Sequence, residues 1–182
     1  MKYIAFLRGV NISGKNKISM SLLKKVMEEN RYQDVITYIN SGNIIFKSFT
    51  NDEIFMMNDI KKIIKDNFNL EIPVFVISYG ALEDIVNNHP EWWDTNKEMY
   101  DNLIFIIPPK MASDVFISLG EPKSNIEKVM CYNNSIFWSY ELKNYRKSTW
   151  WMMTSTVEIR NAFTIRTGNT IRKILEICQN NN

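Results

Sequence analysis

Val35-Ile36-Thr37-Tyr38-Ile39-Asn40-Ser41-Gly42-Asn43-Ile44-Ile45-Phe46 runs from one apolar, β-branched segment through a polar tetrapeptide into a second apolar segment. The pattern predicts two strands around a tight turn, with Gly42 and Asn43 supplying left-handed backbone angles. Outward from this hairpin the chain is symmetrical. Upstream, Met20, Leu23 and Met27 recur at i, i+3 and i+7 with Leu22 and Val26 beside them, which predicts an amphipathic helix ending near Arg31. Before it, Tyr3-Ile4-Ala5-Phe6-Leu7 is a buried-type strand followed by a polar, Gly-containing loop from Arg8 to Ser19. Downstream, Thr50 and Glu53 have capping-box spacing, and Ile54, Met57, Ile60 and Ile64 share one face of a helix reaching Phe68. Pro73 to Ile77 is the next strand. The order β-α-β-β-α-β over residues 2–78 is the split βαβ, or ferredoxin-like, pattern.

The second half is less regular. Gly80 to Asn88 and Ala112 to Leu119 read as helices, and Leu103 to Ile107 as a strand stopped by Pro108-Pro109. Val129 to Tyr132 and Ile136 to Tyr140 pair across Asn133-Asn134, and helices are predicted over Thr149 to Thr156 and Asn169 to Cys178. No Pro/Gly/Ser-rich linker divides the halves. The expected fold is α+β, with a ferredoxin-like subdomain at residues 1–79 packed closely on a second small α/β subdomain at 80–182 that ends in a helix.

The chain has 182 residues, 45% hydrophobic and 23% charged, which excludes a disordered polymer. Twenty-two basic against twenty acidic residues leave a net charge of +2, too balanced to coat nucleic acid over the whole surface. The longest apolar runs, such as Leu103 to Pro109, are far shorter than the about 20 residues of a membrane-spanning helix. The segment Met1 to Leu7 is too short before Arg8 for a signal peptide. Cys131 and Cys178 make neither a disulfide framework nor a metal spacing. A soluble, cytoplasmic protein is expected, with no metal, no cofactor and no membrane partner.

Charge is nevertheless uneven. Between Gly80 and Asp101 six acids face Lys97, whereas between Lys143 and Lys173 seven bases, Arg160 among them, face only Glu158. The Arg8 to Lys17 loop adds three bases and no acid. Two basic regions far apart in sequence suit an anion site, or two ordinary solvated faces.

Three segments combine glycine and Asn, two of them with basic residues as well. Leu7 to Lys17 joins the first strand to the first helix, where backbone N–H groups and a helix N-terminus suit phosphate; it has neither the Walker ending nor the three-glycine dinucleotide pattern. Tyr38 to Asn43 is the hairpin turn. Thr164 to Lys173 carries Asn169 as a candidate N-cap, Gly168, and Arg166 and Lys173 near the start of the last helix. Each also reads as plain turn or cap chemistry. His89 is the sole histidine and precedes Pro90 in a polar loop, an unpromising catalytic base. Trp92-Trp93 and Trp150-Trp151 could stack bases, though such pairs more often fill a core or a subdomain interface.

These segments resemble the mostly bacterial family known as domain of unknown function 1697. Leu7 to Lys17 matches the family opening Leu-Arg-Gly-Ile-Asn-Val-Gly-Gly followed by Lys-Asn-Lys, with Val10 and Ile12 exchanged and Ser13 replacing a glycine. Thr37 to Asn43 matches Thr-Tyr-Ile-Gln-Ser-Gly-Asn with Asn40 in place of Gln. The closing Arg-Asn-Trp-Asn-Thr-Val motif is matched more loosely, at Arg166, Asn169, Thr170, Ile171, Lys173 and Ile174. Thr167 and Gly168 stand where the family has Asn-Trp. The resemblance implies two small subdomains, the first ferredoxin-like, and no established activity.

The function expected is binding of a phosphate-bearing ligand, a nucleotide or a short nucleic acid. Arg8, Asn11, Gly14 and Lys15 would meet phosphate, Ser41 and Asn43 would add hydrogen bonds to the ligand beside Gly42, and Arg166, Asn169 and Lys173 would close the site. One alternative is an enzyme on a phosphorylated or nucleotide substrate, with the same residues stabilising charge. The other is an interaction or structural protein in which the loop residues are contacts between subdomains.

Overall fold

The structure, a computed structural model, describes residues 1–154, 159 and 161–181. It is an α+β protein with two four-stranded antiparallel sheets. The first contains β1 (Lys2–Leu7), β2 (Gln33–Tyr38), β3 (Asn43–Lys47) and β4 (Val74–Ser78), in the order β2-β3-β1-β4. Helices α1 (Met20–Glu29) and α2 (Glu53–Phe68) cross over between strands, which completes the ferredoxin-like topology. Strand side chains alternate, so Tyr3, Ala5 and Leu7 of β1 share one face of the sheet. That face forms one core with Leu23, Val26 and Met27 of α1 and Met56, Ile60, Ile63 and Ile64 of α2. Tyr32 joins this core edge-on to Phe46, and its hydroxyl donates to Asp59 at 2.8 Å.

The second sheet contains β5 (Met99–Ile106), β6 (Glu127–Tyr132), β7 (Ser135–Glu141) and β8 (Phe163–Thr167), in the order β6-β7-β5-β8. With α4 (Ala112–Leu119) after β5 and α5 (Thr149–Met153) before β8, the second half repeats the β-α-β-β-α-β order and the strand arrangement of the first. A 3-10 helix over Leu142–Lys147 precedes α5, while α3 (Tyr79–Asn87) and α6 (Gly168–Asn180) flank this repeat. The second core gathers Ile104, Ile106, Val115, Leu119, Ile136, Trp138, Trp150 and Phe163. The chain divides into two compact units, Met1–Leu82 with Ile174–Asn182, and Glu83–Lys173. The end of α6 thus groups with the first unit, where the sequence suggested the second; the Lys2 ammonium donates to the Cys178 and Asn181 carbonyls.

Several local expectations are corrected. Strand β8 went unread because five residues hold only two apolar ones, Phe163 and Ile165, yet Phe163-Thr164-Ile165-Arg166-Thr167 pairs with β5 from Ile106 to Asn102. Strand β5 begins at Met99, four residues before the predicted start. Asp52, not Thr50, caps α2: its carboxylate accepts from the Phe55 N–H at 2.8 Å, and Glu53 accepts from Ser78 N–H at 2.8 Å instead of closing a capping box. In the hairpin turn the left-handed residues are Ile39 and Gly42, whereas Asn43 is an ordinary buried strand residue. At the start of α6 the Thr167 hydroxyl accepts from the Thr170 N–H at 3.3 Å, and the Asn169 carboxamide oxygen accepts from Arg172. Ser155 and Thr156 of the predicted helix, and Arg160 of the basic run, lie outside the described residues. No helix among the described residues is long and apolar enough to cross a membrane.

Candidate functional site

In the first unit the Arg8 to Lys17 loop is a miniature hairpin. Ser13 and Gly14 both have positive φ, and the Lys15 N–H donates to the Ile12 carbonyl at 2.9 Å, the geometry of a type I′ turn. The Asn11 N–H donates to the Asn16 carbonyl at 3.1 Å, and the Asn16 carboxamide returns to the Gly9 carbonyl at 2.9 Å. Asn11, itself left-handed at φ 55°, is the clasp at its base. Its Nδ2 donates to the carbonyls of Ile18 (3.0 Å) and Asn40 (2.9 Å), and its Oδ1 accepts from the Ile18 N–H at 2.9 Å. These bonds tie the loop to the turn of the β2–β3 hairpin.

Gly42 is the other fixed point. Its carbonyl accepts from the Leu7 N–H at 2.8 Å, and a Cβ on it would lie 2.6 Å from Leu7 Cβ and 2.7 Å from Val10 Cγ2. Asn43 is buried, donating to the Tyr38 carbonyl and the Ser41 hydroxyl, both at 3.0 Å. What remains at the surface is the tip: Ile12, Ser13, Gly14, Lys15, Asn16 and Lys17 are exposed, with Arg8 half-buried below them. A Cβ at Gly14 would meet open space. The seven predicted residues of the first unit therefore separate into a scaffold (Asn11, Gly42, Asn43) and a basic rim (Arg8, Gly14, Lys15), with Ser41 at the turn.

Asn11→Ala tests the clasp. It removes three hydrogen bonds and places a Cβ-bearing residue without a local polar partner in left-handed backbone, so a loss of about 2–3 kcal/mol is expected. Thermal melts of Asn11→Ala and Asn11→Asp should rank the Asp variant between it and the parent. Equal melting temperatures for all three would mean that the clasp does not hold the loop.

The three predicted residues of the second unit have different fates. Arg166 is buried, its guanidinium donating to the Thr164 hydroxyl at 2.9 Å and the Ile165 carbonyl at 2.7 Å. Lys173 is exposed. Asn169 lines a cleft of about 350 Å³ with Asp94, Lys97, Asp101, Gly168 and Arg172. In it Arg172 pairs with Asp94 and lies over the Trp93 ring, 6.0 Å from its centroid. The backbone at Gly168 approaches closely there, since a Cβ would lie 3.2 Å from the Trp93 ring. Burial pushes the Asp101 carboxyl above the ordinary carboxylate range, against hydrogen bonds from Ser139 and from the Asp94 N–H.

Sequence reading missed Asp94, Asp101 and Arg172. The one available signal was Asp101 itself, a charged residue followed by Asn102 directly before the apolar run of β5. Among the described residues no group of three or more His, Cys, Asp or Glu could hold a metal ion.

A family model described as a protein of unknown function, DUF1697, matches residues 1–137. The chain belongs to the DUF1697 family. Within this DUF1697 protein the match takes in the basic loop, its clasp and the β2–β3 turn, and ends before the 3-10 helix, β8 and α6. The fold is similar to that of the conserved bacterial protein SP0830 from Streptococcus pneumoniae, with a TM-score of 0.85 and 23% identity over 96% of this chain and 97% of that one. A search of curated proteins finds no match.

Proposed function

We propose that the protein is a cytoplasmic binding protein for a phosphate-bearing ligand, a nucleotide or a short nucleic acid, taken at the Arg8 to Lys17 hairpin of the first unit. The observation that supports this reading is a cationic, acid-free loop held in one shape by Asn11, Asn16 and Gly42, with Lys15 and Lys17 at an open tip. A loop already held in shape loses little conformational entropy on binding. Three cations in a loop whose own sequence holds no acid favour a phosphate dianion over neutral ligands. Asn11, Gly42 and Asn43 serve the shape, while Arg8, Gly14, Lys15 and Lys17 meet the ligand.

A thermal-shift panel of nucleotides, sugar phosphates and short single-stranded RNA and DNA tests the reading. At about 100 times its dissociation constant a ligand adds about 2.7 kcal/mol, roughly 5–10 °C of melting temperature for a chain of this length. Lys15→Ala/Lys17→Ala should retain the parent's melting temperature without ligand and lose most of the shift. An undiminished shift in that variant sinks the assignment. The enzyme alternative draws on the Asp101 carboxyl in the second-unit cleft, a candidate general acid, and the same compounds screened for turnover decide it.

A further inference from the structure

Consecutive residues of a helix are turned about 100° apart, so the pair Trp150-Trp151 cannot face one way. Trp150 is buried, its indole N–H donating to the Gly120 carbonyl at 2.8 Å and its ring meeting Phe116 and Trp138. Trp151 turns outward and is 40% exposed. Its ring meets that of Tyr145 from the preceding 3-10 helix, edge to face at 4.8 Å and 79°. Arg146 lies over the Tyr145 ring, 5.5 Å from its centroid, and its Nε donates to the Tyr145 hydroxyl at 2.9 Å. The guanidinium is thus positioned by an aromatic ring and not by an acid.

Around this group Lys143 and Lys147 are exposed, and Lys123 donates its ammonium to the Lys147 carbonyl at 2.9 Å, bringing in a fourth cation. Glu141 is the sole acid of the segment 141–152, and it stands 4.0 Å from Lys143. Among the described residues neither Arg146 nor Lys147 has a carboxylate within ion-pair distance. Leu142 and Met152 add exposed apolar surface. The Ser148 hydroxyl, accepting from the Trp151 N–H at 2.9 Å, caps α5 directly after the 3-10 helix.

We propose that the surface of the Leu142–Lys147 3-10 helix and α5 binds single-stranded nucleic acid, with bases stacking on Trp151 and Tyr145 and phosphates meeting Lys143, Arg146 and Lys147. An exposed Trp151 ring beside the half-buried Tyr145 ring, interleaved with the exposed cations Lys143, Arg146 and Lys147, suits a strand whose bases are free to stack and whose backbone is anionic. Duplex DNA offers no open base faces. An anionic membrane would call for a continuous amphipathic helix, and the two helical pieces here, of six and five residues, are separated by the Ser148 cap. This surface lies in the second unit and goes beyond the ligand site proposed for the first.

The test is fluorescence anisotropy of the full chain with labelled oligothymidylate and oligouridylate of about 12 nucleotides, at low and moderate salt. Trp151→Ala should weaken binding by about 5- to 150-fold, the range for one lost stacked base. Trp151→Phe keeps a ring and should restore most of the affinity. Arg146→Ala/Lys147→Ala should reduce the salt slope by about 1.4, two phosphate contacts on a single strand. Lys15→Ala/Lys17→Ala should leave the Trp151-dependent loss in place, which separates this surface from the first-unit loop. Equal binding by the parent and by a folded Trp151→Ala overturns the proposal. So does absence of oligonucleotide binding by the parent, with or without sedimentation on phosphatidylserine vesicles.

Discussion

Glu127→Ala should lower the melting temperature by roughly 6–20 °C, from a loss of about 3–5 kcal/mol. Glu127 is the first residue of β6 and is 2% exposed. Its Oε1 accepts from the backbone N–H groups of Lys123 (3.0 Å) and Thr149 (2.9 Å), and its Oε2 from the Trp138 indole N–H (3.2 Å) and the Ser148 hydroxyl (2.5 Å). One carboxylate therefore joins the approach to β6, the middle of β7 and the start of α5. Removing it orphans four donors together, and each buried donor left unpaired costs about 1–3 kcal/mol unless water reaches it. Glu127→Gln should cost less, because its carbonyl still accepts while its NH2 group meets donors. Urea melts of the two variants decide the matter. A Glu127→Gln variant as stable as the parent, beside a destabilised Glu127→Ala, would show that packing volume and not the carboxylate's acceptor chemistry holds these segments together.

Gly42→Ala is expected to cost about 3 kcal/mol, more than the same change at any exposed glycine. Two effects add: a left-handed φ of 76°, which costs an L residue about 1–2 kcal/mol, and a new methyl facing Leu7 Cβ at 2.6 Å and Val10 Cγ2 at 2.7 Å. Neither neighbour can retreat easily, since Leu7 is pinned by its N–H bond to the Gly42 carbonyl and Val10 is buried. Gly14→Ala is the control. Its φ is 78° but nothing lies within 4 Å of the added carbon, so only the backbone cost of about 1–2 kcal/mol applies. A Gly42→Ala variant no less stable than Gly14→Ala would show that the loop shifts freely away from the hairpin.

The ferredoxin-like half was legible because its signals are local. The hairpin, the 3.6-residue stripes of α1 and α2 and the apolar runs of β1 and β4 each declare their class within a few residues. Its repetition in the second half was hidden by two features. Arg166 is a buried cation in β8, a residue type that reads as surface, and its bonds to Thr164 and Ile165 help to make that burial tolerable. Strand β5 starts with Met99-Tyr100-Asp101-Asn102, a largely polar stretch that reads as loop until Ser139 and Asp94 are seen to bond the Asp101 carboxyl.

The candidate sites divide in the same way. Composition alone singled out Arg8 to Lys17 as a cationic loop, because charge and glycine content are properties of the residues themselves. That Asn11 and Asn43 hold the loop and turn was beyond sequence, since an Asn that binds a ligand and an Asn that bonds a backbone carbonyl are spelled the same way. The Trp150-Trp151 pair shows the limit most plainly: the helical period requires the two rings to part, but which one meets the core is decided by Phe116 and Gly120, in and just after α4, and by Trp138 of β7. By itself the sequence determined the first unit's elements and the basic loop, because those follow from near neighbours. The tertiary structure decided burial and hydrogen-bond partners, because these depend on residues distant in the chain.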